Sequence, residues 1–111
     1  MTAPAETLLA VLTTVANIGD ARRLARQVVR AGLAACAQLE TIESVYLWKG
    51  ELVEEPEIRI SFKTTSQRRQ ALMELIRKAH PYEIPAILAV PLSDVDPAYR
   101  RWVIEQTQPK A

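Results

Sequence analysis

Several things are scarce in this chain of 111 residues, and each scarcity closes off a class of function. The one cysteine, Cys36, cannot form an internal disulfide, so a reducing cytoplasm is the expected setting. The one histidine, His80, with that one cysteine cannot complete a closed tetrahedral metal site within a single chain. No apolar run approaches the roughly 18 residues of a membrane span, so no membrane partner is expected. Residues 1–6 carry neither a basic stretch nor an apolar stretch of the kind that opens a secretory leader, and no leader is expected there. An excess of one charge is also missing. Fourteen basic and thirteen acidic side chains leave a net charge of +1, which argues against a dedicated nucleic-acid binder. Stacking aromatics are lacking as well: the apolar run Leu8–Thr13 has none, and residues 58–63 offer only Phe62 for an RNA base. The loop Thr14-Val15-Ala16-Asn17-Ile18-Gly19 is not glycine-rich and holds no arginine, so it lacks the cradle that phosphate hydrolysis on such a loop requires.

What is present is a single core and a stiff corner. An apolar content of 49% suits one domain, placed at residues 7–106 between a flexible lead (1–6) and a frayed tail (107–111). The corner is His80-Pro81-Tyr82-Glu83-Ile84-Pro85. Pro81 ends the preceding helix, because it offers no N–H and disfavours helical geometry at His80. Pro85 pushes Ile84 into an extended conformation. The corner therefore holds an imidazole, a phenol and a carboxylate in set positions. A plain alternative is that His80 only caps the helix end, where positive charge is favourable.

The pattern along the chain gives the elements. Thr7–Thr14 reads as a strand covered on both faces. Asn17 and Asp20 form a capping pair for a helix in which Ile18, Ala21, Leu24, Ala25 and Val28 recur at helical spacing, and Gly32 fits its left-handed C′ position. Residues 34–39 and 42–48 form a long extended stretch with a bulge expected at Glu40-Thr41. Lys49-Gly50 makes a tight turn into a returning strand, where Pro56 suits an edge or a bulge. Ile58-Arg59-Ile60-Ser61-Phe62-Lys63 alternates as a strand with one buried face. Thr65 or Ser66 caps a second helix carrying Leu72, Leu75, Ile76 and Ala79. A strand over 87–92 and a short helix opened by Asp96-Pro97 complete the order β-α-β-β-α-β plus a C-terminal helix. This predicts an α+β, ferredoxin-like sandwich. Its long hairpin is too large for so small a domain to cover and carries Trp48 at its tip, so a partner chain is expected on it.

Chemistry at the corner stays open between two readings. Cys36, His80 and Glu83 are the ligand types for copper or zinc, shared or open if the chain assembles. They are also the types for cysteine-based catalysis, but Cys36 sits among Ala34, Ala35 and Ala37 and reads as an inert buried position. A single histidine beside Glu83 is thin support for an acid–base pair, so no enzymatic activity and no organic cofactor are expected.

Four stretches together resemble the CutA family, the divalent-cation tolerance proteins: Gly32-Leu33-Ala34-Ala35-Cys36, Tyr46-Leu47-Trp48-Lys49-Gly50, Phe62-Lys63-Thr64-Thr65 and the corner itself. Tyr99 with Trp102 fits as well, and the likeness runs from about Leu9 to Trp102. The resemblance implies a homotrimer similar to the PII signalling proteins, copper binding and no established reaction. The metal ligands proposed in its bacterial members, a first-strand cysteine and two adjacent histidines, fall here on Thr13, Ala79 and His80. Only His80 is kept, so copper or another divalent ion is expected to bind weakly, with Cys36, Glu83 or the carboxylates Glu51, Glu54, Glu55 and Glu57 assisting. Tyr46, Trp48, Lys63, Tyr82 and Trp102 are expected at subunit contacts or in an intersubunit cleft. An alternative is that Lys63 pairs with Glu83 and braces the corner. The second function carried forward is a signalling or scaffold trimer that takes a small ligand or an unidentified partner protein in that cleft.

Overall fold

A computed structural model describes residues 7–109. The elements are β1 (Leu8–Val15), α1 (Ile18–Arg30), β2 (Cys36–Trp48), β3 (Glu51–Thr65), α2 (Arg69–Ala79), β4 (Ile87–Pro91) and α3 (Pro97–Gln106). The strands form one antiparallel sheet in the order β2-β3-β1-β4. This is the ferredoxin-like arrangement, in which each βαβ unit skips a strand and the skipped position is filled by the other unit.

Directly opposed residues of an antiparallel pair share a face. Val11 opposes Phe62 and Val15 opposes Ile58, and these four lie against Ala21, Leu24 and Val28 of α1 and Leu72 and Ile76 of α2. The apolar period of both helices thus meets the period of two in the strands to form the main core. The opposite face carries Ala10, Leu12, Leu88 and Val90, and α3 covers only one end of it, where Val103 packs on Leu8 and Ala35.

The helix signals act as read. The Asn17 side chain accepts from the Asp20 N–H at 2.8 Å. Gly32, at φ 73°, closes α1 with its N–H on Val29 O, and Leu33 N–H returns to Val28 O, the paired bonds of a left-handed C-terminal cap. Lys49 and Gly50 both have positive φ, the two-residue turn whose twist matches the strands it joins. Pro56 lies beyond the end of β1, where β3 is itself an edge and the missing N–H is harmless.

Three expectations are corrected. No bulge interrupts β2 at Glu40-Thr41: the register with β3 is continuous, and Glu40 lies opposite Arg59, whose Nε donates to it at 2.9 Å. Neither Thr65 nor Ser66 caps α2. Thr65 is still in the ladder opposite Leu8, a turn follows, and the helix starts behind Arg68 without a side-chain cap. Thr107 is not frayed. It is buried, its hydroxyl donates to Val103 O at 2.8 Å, and its carbonyl accepts from Arg68 Nε at 2.8 Å. The lead at residues 1–6 lies outside the described residues.

The β2–β3 hairpin reaches past the core. The molecule measures 45 × 27 × 22 Å, and its radius of gyration of 14.8 Å exceeds the roughly 13 Å of a compact domain this size. Beyond Val15 no described residue pairs with β3 on its β1 side, so among the described residues the outer hairpin stands on two strands.

Candidate functional site

The corner is built by the two prolines and fastened by the histidine. His80 is the C-cap of α2 at φ −76°, ψ 133°, the extended geometry that Pro81 imposes. The residue is 8% exposed, with Nε2 2.8 Å from the carbonyl oxygen of Thr14. A carbonyl only accepts, so Nε2 carries the proton and donates. Nδ1 then accepts from the Tyr82 N–H at 3.1 Å. Both nitrogens are engaged with backbone, and the imidazole ties the loop to β1 rather than to the end of its own helix. The Tyr82 ring meets the imidazole edge-on, centroids 4.7 Å apart.

From there the site extends along the hairpin. The Tyr82 hydroxyl donates to Glu57 Oε2 at 2.7 Å, and Glu57 is 6% exposed. Burial first, and the bond to Glu57 second, push the Tyr82 phenol well above its ordinary range. Two residues back, Glu55 Oε1 accepts from the Tyr46 hydroxyl at 2.6 Å, and that bond leads in raising the Tyr46 phenol to about 12. The period of two places Glu55 and Glu57 on one face of β3. Opposite Val53 and Glu51 on the same face stand Tyr46 and Trp48. Lys49 lies over the Trp48 ring at 5.6 Å and approaches Glu83 at 3.9 Å, joining the hairpin tip to the corner. Tyr46, Trp48, Glu55, Glu57, Tyr82 and Ile84 wall a cavity of about 420 Å³, which Thr14 and Ala16 also line. That size suits a small molecule.

The other expected site residues form a separate group. Cys36 opposes Lys63, and Lys63 opposes Ala10, whereas the corner is fastened at Thr14. Four residues of strand, roughly 13 Å, separate those positions along β1. Cys36 is not the buried core position expected: Ala34 and Ala35 are buried, but Cys36 is half-buried, its Sγ 3.5 Å from the Tyr99 hydroxyl. Burial, and then the Cys36 contact, raise Tyr99 to about 12. Trp102 lies against Tyr99 at 5.8 Å. Lys63 donates to Gln38 Oε1 at 2.8 Å, so the Lys63–Glu83 pair does not form.

These positions decide how a metal would fit. His80 has no free lone pair, Cys36 belongs to the other end of the sheet, and Glu83 is exposed beside Lys49. Within one chain the trio does not make one coordination set, and among the described residues no group of three His, Cys, Asp or Glu side chains is placed to hold an ion. Thr13, at the strand-cysteine position of the resemblance, is 1% exposed and its hydroxyl has no partner among the described residues. The residues that sequence reasoning undervalued are Glu55 and Glu57, named only as spare carboxylates. Counting back from the two-residue turn would have set them on the Tyr46 and Trp48 face; the burial of Glu57 had no local signal.

Fold and site together define a ferredoxin-like α+β protein with a cleft of carboxylates and phenols under a long hairpin. A family profile described as CutA1 divalent ion tolerance protein matches residues 9–106. The divalent-cation tolerance protein CutA of Pyrococcus horikoshii is 32% identical over 101 residues, covering 91% of this chain and 99% of that protein. The mouse protein CutA is 39% identical over 100 residues, 89% of this chain. The chain spans 56% of the length of that mouse relative and 64% of a Xenopus laevis homologue. Among solved structures, CutA of Synechococcus elongatus superposes with a TM-score of 0.90 at 36% identity, covering 96% of this chain and 95% of that one. The chain belongs to the CutA1 divalent ion tolerance family.

Proposed function

We propose that this chain serves divalent-cation tolerance as a non-enzymatic, cytoplasmic homotrimer whose working surface is the corner cleft, where it takes a small ligand as a PII-like sensor does. The observation that carries this reading is the contrast at the corner: both nitrogens of His80 are held by backbone, while the cavity of about 420 Å³ beside it stands open. An acid–base catalyst needs a group free to exchange its proton, and the imidazole and both cleft phenols are committed to structural bonds. The trimer is supported by the apolar hairpin, where Leu47 is 71% exposed and Val45 and Leu52 nearly as much, and by Leu88 and Val90 on the uncovered sheet face. No helix among the described residues is long and apolar enough to cross a membrane. The Archaeoglobus fulgidus relative is called periplasmic, so the cytoplasmic placement rests on the single unpaired cysteine. Copper stands second in this reading, because an ion at His80 must first displace the Tyr82 N–H or the Thr14 carbonyl.

The test is a calorimetric titration of Cu(II), and of Cu(I) without oxygen, into wild type and His80→Ala, with size followed by light scattering. Heat that fails to saturate, or that persists in an intact His80→Ala assembly, is expected. Saturation at a fixed ratio, abolished by His80→Ala, would overturn the cleft reading in favour of a copper site at the corner.

A further inference from the structure

We propose that the cleft is built for a small organic cation, an amine or amidine protonated at neutral pH and carried on an apolar body. This rests on the cleft being the binding surface, and it names the class of ligand. A buried carboxylate in the cavity wall is left without a balancing charge. Glu57 is 6% exposed, in the wall of a cavity of about 420 Å³, and Glu55 stands two residues away on the same face. Neither has a cationic partner among the described residues. The nearest candidates are engaged elsewhere: Arg59, next along that face, donates to Glu40 at 2.9 Å, and Lys49 sits at the rim toward Glu83.

Among the described residues, the side-chain donors to the two carboxylates are the phenols of Tyr82 and Tyr46, at 2.7 and 2.6 Å. A phenol supplies a hydrogen bond and no charge. One donor each also leaves lone pairs on both carboxylates, which accept up to about four bonds. Burying a carboxylate without a counter-charge is costly, and a ligand that brings the charge recovers that cost on binding. The remaining walls suit the rest of such a ligand. Trp48, Tyr46 and Tyr82 present aromatic surface, which favours a cation over a ring face, and Ile84 adds aliphatic surface for its body. An anion would face Glu55 and Glu57 with no arginine or lysine inside the cavity to receive it.

Benzamidinium, benzamide and benzoate share one shape and differ in charge, which makes them the probes. Each is titrated by calorimetry into the full chain, wild type and Glu57→Gln, with Glu55→Gln as a second variant at a half-exposed position. Glutamine keeps an acceptor for the Tyr82 hydroxyl, so the wall is preserved while the charge is removed. The expected result is saturable benzamidinium binding at one per chain, at least tenfold tighter than benzamide, with no benzoate binding. Glu57→Gln brings benzamidinium down to the benzamide level, and Glu55→Gln weakens it by a smaller factor. Benzamide or benzoate binding as tightly as benzamidinium, unaffected by either variant, would overturn the cationic class while leaving the cleft reading intact. No binding of any probe, with unchanged size in both variants, would overturn both. No probe binding together with dissociation of the Glu57→Gln assembly would give the carboxylates to a lysine or arginine of a second copy, and would also overturn the proposal.

Discussion

Thr13 and Thr64 make a matched pair from which the cost of an unmade hydrogen bond can be read. Both are buried threonines in the two central strands, β1 and β3, with side chains on the helix-covered face of the sheet. They differ in one respect. The Thr64 hydroxyl donates to Leu33 O at 2.7 Å, whereas the Thr13 hydroxyl has no partner among the described residues. Valine has the shape of threonine with a methyl in place of the hydroxyl, so Thr13→Val removes a desolvated orphan and leaves the β-branched packing against Ile60 and Ile87 unchanged. A buried unsatisfied polar group costs about 1–3 kcal/mol, and Thr13→Val is expected to return about 1–2 kcal/mol of it. Thr64→Val loses a made bond and strands a carbonyl, a loss of about 1 kcal/mol or somewhat more. The same chemical change should therefore move stability in opposite directions, with a gap of about 2–3 kcal/mol. Urea unfolding at one fixed protein concentration measures it, because assembly makes apparent stability concentration-dependent. At a slope of about 1–3 kcal/mol per molar, the two midpoints should lie about 1 M or more apart. Destabilisation by Thr13→Val equal to that of Thr64→Val would refute the reasoning, since it would mean that the Thr13 hydroxyl has a partner in solution.

His80→Ala should lose about 2–4 kcal/mol in the same assay, because it strands the Thr14 carbonyl and the Tyr82 N–H together; a loss under about 0.5 kcal/mol would show that the corner does not depend on the ring. All three tyrosines are raised, Tyr46 and Tyr99 to about 12 and Tyr82 further. The folded protein thus holds phenolic protons that the unfolded chain releases near 10, so stability is full below about pH 10 and falls as pH rises from 10 toward 12. Phenolate absorbance measured while the fold persists should show no tyrosine titrating at its ordinary value, and a normal titration would count against these bonds. Trp48→Ala removes an aromatic from the exposed hairpin, and dissociation or partial unfolding at nanomolar concentration is the expected outcome by light scattering and circular dichroism. An assembly that stays intact at that concentration would remove Trp48 from the proposed contact.

The element order was legible because its signals are local. Asn17 before Asp20, Gly32 after the Val28 stripe, Lys49-Gly50, Pro81 and the alternation over 58–63 each act within a few residues of themselves, through steric limits and periodicity that need no distant partner. Thr65 misled because a capping residue type reads the same whether or not the strand ladder still holds it. Thr107 misled because a polar tail gives no sign of the Arg68 that reaches it from another element. The sequence by itself determined the ferredoxin-like order, the stiff corner and the unsupported hairpin. Only the tertiary structure decided that His80 turns both nitrogens to backbone, that Cys36 stands at the far end of the sheet, and that Glu57 is buried with no cation beside it among the described residues. Those are consequences of register between strands distant in the chain, and a side chain's charge balance is set by what the register brings beside it.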